Sequence, residues 1–79
     1  MAILRRTNVQ MDKIDQQMLD LLEQRALLYG EAVDEGGAAE DDEEIVDMWV
    51  EWGMERGLDE TAVERVCRSV ITLSRKSAE

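Results

Sequence analysis

Apolar residues at Met11, Ile14, Met18, Leu21, Leu28 and Ala32 follow alternating steps of three and four, with Arg25 filling the place between Leu21 and Leu28. That spacing marks one stripe of a long helix. An arginine on such a stripe faces a helical interior, where an unpaired charge is very costly, so Arg25 requires an anion. The pattern predicts a helix from about Ile3 or Thr7 to about Glu35, closed by Glu35-Gly36-Gly37 because glycine accepts the left-handed conformation that ends helices. At 1.5 Å per residue the helix is on the order of 45 Å long. Two shorter helices built from the rest of the chain do not cover that length, so part of its apolar face is expected to meet a second copy. Ile45, Met48, Trp49 and Trp52 predict a second helix over about 41–56, with the tryptophans in the core or at a dimer interface. Gly57 is its stop signal, and Asp59 caps a third helix over about 60–77. The third stripe is Val63, Val66, Cys67, Val70, Ile71, Leu73 and Ser74.

Composition agrees with an all-α fold. The 79 residues contain no proline and are rich in good helix formers, and they suffice for one domain, 1–79. The net charge of -10, from 19 acidic and 9 basic residues, disfavours nucleic acid and anionic membrane as partners, since both need a basic surface. A high-salt or GC-rich source would produce the same bias. No apolar run approaches the roughly 20 residues that span a bilayer, and the N-terminal stretch lacks a signal peptide's apolar core, so a cytoplasmic location is expected. Cys67 is the single cysteine and there is no histidine, which rules out an internal disulfide, a Cys/His zinc site and a histidine-activated nucleophile. The acidic run Glu40 to Glu44 reads as a helix N-terminal turn, favoured by the helix dipole. It lacks the spaced ligands and the glycine of a calcium loop. No cofactor motif is present.

One constellation remains. Ile14-Asp15 is followed by Leu21-Leu22 and by Arg25, ten residues after Asp15; Gly57-Leu58-Asp59 is followed by Ser74, fifteen residues after Asp59. This resembles the all-helical (AroQ-type) chorismate mutase family, whose first helix carries an ID…LL…R pattern and whose third opens after GLD. The resemblance spans nearly the whole chain. It implies an intertwined homodimer with paired first helices, and an active site that takes one arginine from the other subunit. It also implies a reaction without metal or cofactor, the rearrangement of chorismate to prephenate or chemistry on a related chorismate-derived dianion.

Residue by residue, the resemblance places Arg25 on the substrate-carboxylate arginine and Ser74 on the helix-three serine that bonds substrate. The arginine donated across the dimer falls at Asn8, with Arg5 one turn earlier as its substitute and Arg6 beside it. The ether-oxygen lysine falls at Gly36. The Arg-Glu pair that opens helix two falls on Asp41 and Asp42, and a glutamine falls on Ala78. The family's site is therefore carried by Arg25 as catalytic residue and by Arg25, Ser74, Arg5 and Asp42 as substrate-binding residues, with fewer cations than the pattern calls for.

Three readings follow. The first is a divergent mutase with weak activity. The second is a mutase-fold protein without catalysis, a regulatory or assembly partner of another protein. The third is a plain helical dimer in which Arg25 pairs with an internal carboxylate such as Asp42 or Glu44.

Overall fold

The computed structural model describes residues 2–36 and 41–78, with side chains from residue 7 onward. The side chains of Arg5 and Arg6, and the loop residues 37–40, lie outside the described residues. The chain forms three helices, α1 (Ala2–Asp34), α2 (Asp42–Glu55) and α3 (Glu60–Ala78), and the described residues contain no strand. These bounds match the ranges read from the pattern to within one residue when α1 is taken from Ile3, whereas a start at Thr7 falls five residues short.

The helix ends follow local chemistry. Gly36 adopts φ +81 and closes α1, with its amide donating to the Val33 carbonyl at 3.0 Å. The Asp41 side chain caps α2, accepting from the amides of Glu43 at 3.0 Å and Glu44 at 3.3 Å. At the other end of α2, Gly57 adopts φ +74, its amide donates to Met54, and the Leu58 amide donates to Gly53. Those two bonds are the Schellman closure. Asp59 caps α3 by accepting from the Ala62 amide at 2.8 Å.

α3 lies between the other two helices, and among the described residues no Cα of α1 comes within 8 Å of a Cα of α2. α1 runs parallel to α3, because Arg25 meets Ser74 and Gly30 faces Ala78 in the same order. α2 runs antiparallel to it, because Asp42 meets Arg75 while Gly53 meets Val63. The core is small. Val46, Cys67 and Ile71 are buried together, with Ile45, Trp49 and Val50 packed on them. Cys67 is fully enclosed there, as expected for a core thiol.

α1 uses only part of its length. Residues 7–20 are exposed throughout, and burial begins at Leu22, Arg25, Ala26, Tyr29 and Gly30. The stripe read from the sequence points elsewhere: Met11, Ile14, Met18, Leu21 and Leu28 are all exposed in the single chain. No described helix is long and apolar enough to cross a membrane.

Candidate functional site

The site is assembled where the C-terminal half of α1 runs beside the last turns of α3. Arg25 comes from α1 and is half-buried, next to the buried Ala26. Ser74 comes from α3 and is 1% exposed. Arg25 Nη1 donates to Ser74 Oγ at 2.9 Å, joining positions 49 residues apart. A hydroxyl this deeply buried needs a partner, and the guanidinium is one.

Asp42 sits in the first turn of α2, which packs against the end of α3. Its carboxylate is held by both terminal nitrogens of Arg75, with Nη1 to Oδ2 at 3.1 Å and Nη2 bonding Oδ1. Two parallel N–H···O bonds form the fork geometry in which arginine best recognises a carboxylate. Asp42 therefore meets Arg75, whereas the third sequence reading put it opposite Arg25. Arg75 is pushed above the ordinary arginine range, first by its bonds to Asp42 and then by the Tyr29 hydroxyl, with burial opposing. Tyr29 lies one turn beyond Arg25 on α1. A cleft of about 320 Å³ opens beside these groups, walled by Tyr29, Gly30, Val33, Asp34, Arg75 and Ala78. That volume is at the low end of the roughly 300–1,000 Å³ found for small-molecule sites. Among the described residues no cluster of carboxylates and Cys67 has the makings of a metal site.

A neighbouring ion pair gives a contrast. Arg68 donates to both carboxylate oxygens of Glu43, at 3.2 and 3.3 Å, and lies 3.7 Å from Glu64 one turn earlier on α3. Its side chain is 46% exposed and that of Glu43 72%. It does not line the 320 Å³ cleft.

The structure thus brings Arg25 and Ser74 into contact and places Asp42 at the same end of α3. Asn8 is exposed on the uncovered half of α1. Gly36 and Asp41 are helix terminators, and Ala78 packs on Gly30. Arg5 lies outside the described side chains. Arg75 and Tyr29 are absent from the sequence reading. Their signals are weak but present: Tyr29 follows Arg25 by four residues, and Arg75 follows Ser74 directly.

Comparison of the chain with protein-family models, with curated proteins and with solved structures finds no match.

Proposed function

We propose that the chain is a chorismate-mutase-like protein that works as a homodimer, binds a small dicarboxylate at Arg25 and Ser74, and rearranges chorismate weakly at most. The observation that carries this reading is the 2.9 Å bond between Arg25 and Ser74. These are two of the positions that the resemblance assigns to substrate, and they come from different helices. The rearrangement is pericyclic and needs no nucleophile. A protein assists it by holding the dianion compactly and by placing donors on the ether oxygen as charge develops there. Arg25, at the substrate-carboxylate position, and the Ser74 hydroxyl serve the first of these tasks.

Dimerisation follows from geometry and surface. Arg5 precedes Arg25 by twenty residues on one helix, about 30 Å at 1.5 Å per residue. It reaches an Arg25 site only from a second copy. The chain exposes 6626 Å², whereas a compact monomer of its 9.0 kDa mass exposes about 4,900 Å². The excess is of the order that a stable interface buries.

Weak activity follows from the charges. The lysine and arginine positions of the family pattern are Gly36 and Asp41, and both residues close or cap helices. Losing one preorganised donor to a developing oxyanion costs about 100- to 1,000-fold in rate. The test is to mix the protein with chorismate and follow its absorbance together with prephenate formation. Slow decay that Arg25→Ala abolishes is the expected result. Turnover near an ordinary enzyme's roughly 10 per second would overturn the charge count. Binding without turnover would favour the non-catalytic partner, a reading supported by Asp42 neutralising Arg75.

A further inference from the structure

We propose that Arg75 is the second cation of this site, and that Asp42 is a stand-in ligand which a carboxylate of the bound dianion displaces. This rests on the dicarboxylate reading above and adds a residue which that reading lacks. Ser74 and Arg75 are adjacent on α3, so one turn of helix supplies both the buried hydroxyl and the guanidinium. On the facing helix, Arg25 and Tyr29 are one turn apart, with Arg25 bonding Ser74 and the Tyr29 hydroxyl beside Arg75. Two guanidinium groups are thus carried by adjoining turns of two parallel helices, an arrangement for two carboxylates of one ligand.

The Asp42 fork copies what a ligand carboxylate would make. It is also open to exchange: the side chains of Arg75 and Asp42 are 37% and 39% exposed. The fork geometry favours the pair, but solvent reaches both partners, so a competing carboxylate has access to Arg75. The 320 Å³ cleft gives the incoming group room at Arg75. Asp34 also lines this cleft, whereas Arg25 and Ser74 do not, so a ligand that meets both arginines extends beyond the cleft towards the Ser74 turn. Arg68 and Glu43 form a similar fork on the same two helices, neither residue lines the 320 Å³ cleft, and the pair so provides an internal control.

The test is chorismate binding by the full chain, read by calorimetry, in wild type and in Asp42→Asn, Arg75→Gln, Glu43→Gln and Arg25→Ala, with helicity checked by circular dichroism. Asp42→Asn should tighten binding about tenfold or more, the scale of one charge-assisted hydrogen bond, by removing the competitor. Arg75→Gln should weaken it by a similar factor. Glu43→Gln removes the same charge one residue away and should leave the dissociation constant within about twofold of wild type. Equal tightening by Asp42→Asn and Glu43→Gln would mean a general field effect and overturn the proposal. So would an unchanged constant in Arg75→Gln while Arg25→Ala abolishes binding, an outcome that leaves the dicarboxylate site standing without Arg75. If neither wild type nor Asp42→Asn binds chorismate, the functional reading itself fails, and the role of Arg75 fails with it.

Discussion

Gly36 and Asp41, the positions where the proposed resemblance would put cations, both serve the backbone instead. Gly36 takes a left-handed conformation that a lysine adopts only with strain, and Asp41 satisfies two amides at the start of α2. Asp41→Ala should therefore lower unfolding free energy by about 1 kcal/mol in urea titration, and a neutral result would remove the capping argument. Ser74→Ala should cost about the same, since it strips a buried bond from Arg25. Two arginines have raised pKa values. Glu43 raises Arg68 and Asp42 raises Arg75. A raised cationic pKa stabilises the fold at every pH below the unfolded value, and the contribution is lost only as pH rises through the folded value. Both values lie far above neutrality, and the chain has no histidine. The melting temperature should then be flat between about pH 6 and about pH 8, and a step in that range would contradict the assignment. Arg25's need for an interior partner was legible from its place on the apolar stripe, whereas Ser74 was named only through the resemblance, and their contact was not read from the sequence. Nor was the pairing of Asp42 with Arg75, because it depends on how α2 is rotated against α3, which spacing leaves open.

Among elements, the ends were easier to read than the faces. Gly36, Gly57 and Asp59 act where the pattern puts them, since a cap or a left-handed turn is decided within a few residues, while Asp41, read as part of the first turn of α2, is its N-cap. The buried face of α2 was harder. Val46 and Gly53 are buried against α3, while Met48 and Trp52 are exposed in the single chain. A stripe chosen by hydrophobic size favours tryptophan, but the close approach of two helices is made at the small residue. A Cβ added at Gly53 would come within 2.9 Å of one Val63 methyl and 3.2 Å of the other, and a β-branched side chain on a helix cannot turn both away. Gly53→Ala should destabilise by about 1 kcal/mol net, overpacking outweighing the gain in helix propensity. Gly30 is the converse. A Cβ there meets only Ala78, at 3.5 Å, so Gly30→Ala should be neutral or stabilising by up to about 1 kcal/mol. Thermal melts of the two variants that moved in the same direction would contradict this account of α3's two packing faces.

At the scale of the whole molecule, a single chain is elongated. Its radius of gyration is 15.3 Å, against about 11.6 Å for a compact domain of this length, and its long dimension of 53 Å is set by α1. The stripe Met11, Ile14, Met18, Leu21 and Leu28 is exposed, and so are Trp52 and Val66, which wall an apolar groove of about 510 Å³ between α2 and α3. Isolated exposed apolar residues are ordinary, but a continuous stripe over five turns marks an interaction surface. The intrachain face of α1, at Leu22, Ala26 and Tyr29, is rotated away from that stripe, so α3 and a partner can engage α1 at once. Arg25 lies on both faces. The expected outcome is a dimer at micromolar concentration by sedimentation equilibrium. The double variant Leu21→Glu/Leu28→Glu should dissociate it, because burying two carboxylates on an apolar seam costs several kcal/mol. Because α1 would lose its cover, the variant should also lose helical signal. A monomeric wild type with full helicity would show that the stripe has another role and that no second copy supplies Arg5.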